Sequence, residues 1–85
     1  MERRYDDLLT SHLESVLDEG CTYIAWGALY RWYGVEKIAA GTYRDLESRW
    51  QEVSKGTKLG RLLHVPKYDG TFLLAEKSVK PISPD

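Results

Sequence analysis

The sequence predicts a small α+β domain with three helices, a short strand after the first helix and a C-terminal β-hairpin. Apolar residues recur with a helical period in three separate segments. Two β-favouring runs flank the turn dipeptide Asp69-Gly70. A chain of 85 residues has room for one such domain. We expect it to span residues 1–76, followed by a flexible tail over residues 77–85, which has no periodicity and contains Pro81 and Pro84.

The composition excludes several classes of protein. With 42% hydrophobic and 29% charged residues the chain can bury a core, which argues against general disorder. One cysteine rules out an internal disulfide scaffold. No apolar run approaches the roughly 20 residues of a membrane helix, and acids occupy the N-terminus where a signal peptide would be apolar. We therefore predict a cytoplasmic protein that does not contact membranes.

The first helix is predicted to begin at Tyr5 and to end at Gly20, a residue suited to a left-handed cap. Its buried stripe is expected to carry Tyr5, Leu8, Leu9, Leu13, Val16 and Leu17, with His12 on the same side. The next four residues, 21–24, favour a short strand.

The second helix is predicted over Ala25–Tyr33, with Gly34 as its stop. Four large apolar residues share the face expected to be buried, namely Trp26, Leu29, Tyr30 and Tyr33. Arg31 lies opposite that face. Trp32 lies off the stripe beside Arg31, which leaves it either partly exposed in a partner surface or packed at the periphery.

The third helix is predicted from Tyr43 to about Val53, with Thr42 as N-cap and Asp45 as the acidic member of a capping box. Its buried stripe is expected to be Tyr43, Leu46, Trp50 and Val53. The opposite face carries Arg44, Ser48, Gln51, Glu52 and Lys55. After Gly56, the hairpin strands are predicted over Leu59–Val65 and Phe72–Glu76.

Charge is distributed unevenly along a chain whose net charge is only −1. Residues 1–19 contain six acids and two arginines, whereas residues 55–67 contain four basic residues and no acid. The basic segment is suited to phosphates, and the acidic start of the chain would repel them.

This order of elements, with the Gly34 turn, the Thr42-capped helix and the Asp69-Gly70 hairpin, resembles winged helix-turn-helix domains over residues 5–76. The resemblance implies that the third helix enters the major groove of double-stranded DNA while the hairpin, or wing, lies on the backbone. The implied function is that of a small transcriptional regulator or mobile-element protein.

Carried onto this sequence, the resemblance makes Arg44, Ser48 and Gln51 candidates for base contacts, and their side chains suit base edges. It makes Lys55, Lys58, Arg61, Lys67 and Tyr68 candidates for backbone contacts. The carboxylates of Asp45, Glu47 and Glu52 would oppose phosphates unless they pair with Arg44, Arg49 or Lys55, or accept a hydrogen bond from cytosine.

The alternative is a protein-interaction module that uses Arg31, Trp32 and the acidic first helix. A homodimer through the first helix or the tail is a further expectation. Asp18 and Glu19 end the first helix, where the helix dipole disfavours acids, which hints that something basic neutralises them.

No catalytic or cofactor motif is present in the sequence. His12, Cys21 and His64 are isolated, without the paired spacing of a zinc site. We therefore expect no metal, no cofactor and no enzymatic activity.

Overall fold

The structure, a computed structural model, describes residues 1–83. It is a small α+β domain with three helices and a three-stranded antiparallel sheet, which confirms the predicted class. In chain order the elements are α1 (Arg3–Glu19), β1 (Cys21–Ala25), α2 (Trp26–Tyr33), α3 (Ala40–Val53), β2 (Leu62–Pro66), β3 (Gly70–Ala75) and a 3-10 turn (Glu76–Ser78). Within residues 1–83, none of the helices has the length and apolar content that a membrane crossing requires.

The sheet has the strand order β1-β3-β2, so the first strand pairs with the last. Leu74 of β3 lies opposite both Cys21 of β1 and Leu63 of β2. Alternation along the strands turns Ile24 and Leu73 towards the helices. The opposite, outer face is apolar. It carries the exposed residues Cys21, Tyr23, Leu63, Val65 and Phe72 and the half-buried Leu74.

The core lies between the helices and the inner face of the sheet. Its buried members are Leu9, Leu13, Val16, Ile24, Leu29, Trp32, Leu46, Trp50, Leu73 and Ala75. Trp50 of α3 is the largest fully buried side chain. Because a buried indole N–H needs an acceptor, Trp50 Nε1 donates to the carbonyl of Gly60 at 3.0 Å, which ties α3 to the segment before β2.

Two glycines end their helices as predicted. Gly20 and Gly34 have φ values of 93° and 64°, in the left-handed region that favours glycine. The N–H of Gly20 donates to the carbonyl of Val16, and the chain turns directly into β1. The reversal places β1 along α1.

The predicted start of the third helix is wrong. The helix begins at Ala40 after an extended Ala39, and Thr42 lies buried inside the first turn, 8% exposed, without capping it. Thr42 thereby extends the buried arc centred on Leu46, whereas Tyr43 lies at the border of that arc and stays 37% exposed. Its N-cap, Ala39, forms no side-chain hydrogen bond.

The first helix and the strand β2 also begin at residues other than those predicted from the sequence. The first helix begins two residues before Tyr5, and Leu8 of its predicted stripe is 48% exposed. The strand β2 begins at Leu62 instead of Leu59, because Gly60 adopts a left-handed turn with φ 81°.

The predicted tail begins as ordered backbone. The N–H of Lys77 donates to the carbonyl of Leu59 at 2.8 Å, and Ser78 completes the 3-10 turn. Pro84 and Asp85 of that tail lie outside the described residues.

Two adjacent leucines of α1 differ in burial, so substituting each of them tests which face of α1 packs into the core. Leu9→Ala is expected to cost about 2–5 kcal/mol of unfolding free energy, because it leaves a cavity beneath α1. Leu8→Ala is expected to stay within about 0.5 kcal/mol of the parent, because Leu8 is half exposed. Urea unfolding followed by tryptophan fluorescence measures both. Equal costs would show that α1 is rotated from the described orientation.

Candidate nucleic-acid interface

The exposed face of α3 brings together the three side chains predicted to contact bases. Arg44, Ser48 and Gln51 are all exposed, and their spacing of four and three residues places them in one row. Glu52 lies at one margin of this row, towards α1, where it lines a hollow with Thr10 and Ser48. The row is therefore polar, with one carboxylate at its α1 margin.

The strand β2 runs along the other margin of that row. The rings of Tyr43 and His64 pack with centroids 4.9 Å apart, and about two helical turns further on the indole of Trp50 donates to the carbonyl of Gly60. The first half of α3 thus lies beside the middle of β2, and the second half lies beside the loop that precedes the strand. Helix and hairpin form one continuous surface.

The loop between α3 and β2 carries the basic side chains predicted to contact phosphates. Lys55, Lys58 and Arg61 are exposed. Gln51, Lys55 and Arg61 line the same hollow of about 480 Å³, so the end of the base-contact row meets the basic loop there. Three of the predicted residues converge at this end of the surface.

Lys67 and Tyr68 lie at the hairpin turn, at the other end of β2. Lys67 is six positions after Arg61, which corresponds to about 20 Å along an extended strand. The turn is anchored, because the indole of Trp26 donates to the carbonyl of Lys67 at 2.8 Å and the hydroxyl of Tyr23 donates to Asp69 at 2.6 Å. Tyr68 projects fully into solvent.

The carboxylate of Glu47 is bound at the junction of α3 and β2. It accepts hydrogen bonds from Gln51 Nε2 at 3.0 Å and from the N–H of Leu62 at 3.2 Å. Arg61 Nε lies 3.7 Å from it. Arg61 was not among the partners considered for Glu47 from the sequence, since only the tertiary fold brings these two residues together. Glu47 therefore opposes phosphates less than a free acid, but it also engages Gln51 and Arg61.

Asp45 points away from the exposed row, into a cluster between the three helices. It accepts hydrogen bonds from Arg49 and from the hydroxyl of Tyr33, both at 2.7 Å, and Arg49 also pairs with Asp6 of α1. Burial raises the pKa of Asp45, but the two hydrogen bonds outweigh it and hold that pKa below its ordinary value. Burial and the bond to Asp45 raise the pKa of Tyr33. Asp45 is a structural acid.

The sequence placed Trp32 off the buried stripe of α2, and the structure contradicts this. Of the two alternatives left open for its side chain, exposure in a partner surface is excluded by its burial. Trp32 is 7% exposed, and its ring lies 5.6 Å from that of His12. The buried arc of α2 is centred on Leu29 and Trp32, because Trp26 is drawn to the hairpin turn by its indole hydrogen bond. Arg31 is exposed on the opposite side, as expected.

The residues of interest for metal binding remain separate. Across residues 1–83, no group of three His, Cys, Asp or Glu side chains is placed to hold a metal ion. His12 forms a hydrogen bond with Thr22 at 2.8 Å, and burial lowers its pKa. His12 is thus a half-buried histidine whose ring is hydrogen-bonded within the fold.

Comparison of the chain with models of protein families, with curated proteins and with solved structures found no match. Function is therefore inferred from the residues and their geometry.

Asp45→Asn is expected to reduce the loss of stability in acid. Because the folded protein lowers the pKa of Asp45, its ionised form stabilises the fold above about pH 4, and that stabilisation is lost as the pH falls through the lowered pKa. Asparagine keeps an acceptor for Tyr33 but has no such charge to lose. The urea midpoint measured from about pH 6 to pH 2 reports the difference.

The matched control is Asp7→Asn, since Asp7 is exposed on α1 and forms no ion pair within residues 1–83. The urea midpoint of Asp7→Asn should fall with decreasing pH in the same way as that of the parent protein. Superimposable profiles for all three proteins would contradict the structural role of Asp45.

Proposed function

We propose that this protein is a winged-helix domain that binds double-stranded DNA, placing α3 in the major groove and the basic loop and hairpin turn on the phosphate backbone. Its role would be that of a small cytoplasmic transcriptional regulator or mobile-element protein. The observation that carries the proposal is the exposed polar row of α3 beside a loop rich in basic residues.

The topology supports the winged-helix part of the proposal. The hairpin is the next element after α3 in the chain. Its second strand pairs with the strand between α1 and α2. This arrangement holds β2 alongside α3. A helix of about 10–12 Å diameter fits a major groove about 12 Å wide, so an exposed helix beside a hairpin can enter the groove while the hairpin stays at its edge.

The three side chains of the polar row are not equally free to contact bases. Arg44 and Ser48 form no side-chain hydrogen bond or ion pair within residues 1–83, so both are available to base edges. Gln51 is already bound to Glu47 and must exchange that partner on binding. We therefore assign base recognition mainly to Arg44, whose guanidinium can bind guanine in a bidentate manner.

The basic loop supplies affinity without reading sequence. Lys55 and Lys58 have no acidic partner within residues 1–83, and the side chain of Arg61 is 77% exposed beside Glu47. An exposed ion pair at 3.7 Å is weak enough to yield to a phosphate. Of the acids of α1, Asp6 is paired with Arg49 of α3, and interactions between exposed charges more than about 10 Å apart are largely screened at 0.1 M salt.

Replacing Lys58 and Arg61 together with alanine is expected to weaken binding to every duplex and to reduce the slope of log K against log salt by about 2. The loss of two phosphate contacts is the physical reason. Fluorescence anisotropy of a labelled random duplex, titrated at several salt concentrations, measures both quantities.

The matched control replaces Arg3 and Lys80, which removes the same charge from positions outside α3, the basic loop and the hairpin turn. It should retain the parental slope. The proposal is overturned if the parent protein does not bind at low salt, or if both double variants lose affinity and slope equally.

The apolar outer face of the sheet favours a second candidate function, a protein-interaction module. Leu63, Val65 and Phe72 are 39%, 49% and 38% exposed, and no charge lies among them. This surface differs from the one expected on α2. It contributes nothing to phosphate binding, so protein binding there would persist in the Lys58 and Arg61 double variant.

A further inference from the structure

One edge of the sheet is open along its whole length. The N–H of Ala75 donates to the carbonyl of Gly20 at 3.2 Å, and the N–H of Trp26 donates to the carbonyl of Asp69 at 3.1 Å. In an antiparallel pair only alternate residues exchange hydrogen bonds, so the even-numbered residues of β1 bind β3. The N–H and C=O groups of Cys21 and Tyr23 and the N–H of Ala25 therefore point away from the sheet, whereas the carbonyl of Ala25, the N-cap of α2, accepts the first hydrogen bond of that helix.

The opposite edge is protected against strand addition. The same alternation turns Leu62, His64 and Pro66 of β2 outward, as the bond from Lys67 to Gly70 shows. The N–H of Leu62 is bound by Glu47, and Pro66 has no N–H to donate. Proline and acidic side chains are common devices that prevent edge pairing. The β1 edge has neither a proline nor a charged residue.

We propose that β1 pairs antiparallel with β1 of a second copy of this chain, across a two-fold axis at Tyr23, to form a continuous six-stranded sheet. In this register Cys21 lies opposite Ala25 of the second copy, and the two Tyr23 residues lie opposite each other. All three outward-facing residues of each strand meet outward-facing residues of the other. The alternation allows about four hydrogen bonds between the copies, two within the Tyr23 pair and one from each Ala25 N–H to the carbonyl of Cys21 in the other copy.

The two ends of β1 are complementary in charge under this symmetry. At one end α1 finishes with Asp18 and Glu19, without a basic residue in its last turn. At the other end α2 begins without an acidic residue in its first turn and without a side-chain cap. The proposed register places each acidic end opposite the positive N-terminus of α2 in the other copy. It thereby supplies the neutralising partner that Asp18 and Glu19 lack within residues 1–83.

The side chains also favour a second copy. Tyr23 is 36% exposed on the outer face, where its ring already packs on Phe72 with centroids 5.0 Å apart. Pairing adds the ring of the other Tyr23, and aromatic cross-strand pairs stabilise sheets. The proposed pairing therefore uses β1 in place of the first helix or the tail, which we expected from the sequence.

Ala25→Pro tests the edge without disturbing the fold. The φ of Ala25 is −65°, the value that proline fixes, and its N–H takes no part in pairing with β3. Ala25→Ser keeps the N–H and is the matched control. Sedimentation analysis of the three full-length proteins without DNA is expected to show dimers for the parent and for Ala25→Ser. It should show dimerisation about 100-fold weaker for Ala25→Pro, since each copy loses a hydrogen bond.

Circular dichroism confirms that each variant is folded. The proposal is overturned if the parent is a monomer at its highest soluble concentration, the result expected if the edge instead accepts a strand from another protein. It is equally overturned if folded Ala25→Pro dimerises like the parent.

A distance measurement fixes the register independently of any substitution. Cys21 is the single cysteine and is exposed, so a nitroxide label can be attached there. The proposed register separates the two Cys21 Cα atoms by about 15 Å, from four residues along the strand and one strand spacing. Dipolar broadening consistent with that separation supports the register, and its absence from a dimer contradicts it. Neither measurement uses DNA, so each result is independent of the proposed function.

Discussion

The packing of α3 along β2 is the constraint on which the rest of the structure depends. The fully buried indole of Trp50 needs an acceptor, and Gly60 provides it just before β2 begins. Glu47, one turn earlier on the helix, accepts the N–H of Leu62 at the start of the strand. Together with the hydrogen bond from the N–H of Lys77 to the carbonyl of Leu59, these two hydrogen bonds fix the basic loop at the end of the exposed helix face.

The same contacts resolve a conflict of charge that the sequence leaves open. Three carboxylates lie on or near a helix proposed to approach phosphates. Asp45 is turned into a cluster with Arg49 and Tyr33, and Glu47 is engaged at the helix–strand junction. Only Glu52 remains as an exposed acid, at the margin towards α1. The acids thus contribute mainly to the fold, and the solvent-facing row keeps Arg44 and Ser48 available.

The sequence predicted which helices and strands form better than it predicted where they begin or which side chains they bring into contact. Periodicity and glycine caps located the three helices and the hairpin, because those signals are local. The start of α3 was missed because Thr42, a good cap by type, is drawn into the core. Trp32 was misplaced because the rotation of the short α2 depends on the distant hydrogen bond between Trp26 and Lys67. The row on α3 followed from spacing alone, whereas the partner of Glu47 and the open β1 edge required the tertiary fold.

Titration of ¹⁵N-labelled protein with a duplex, followed through the backbone amide resonances, shows whether α3 and the basic loop form the proposed DNA-binding surface. We expect the changing resonances to cluster at Arg44, Ser48 and residues 55–61, and added salt to reverse the changes. Changes confined to α1 or to the outer face of the sheet, or no changes at low salt, would contradict the proposal.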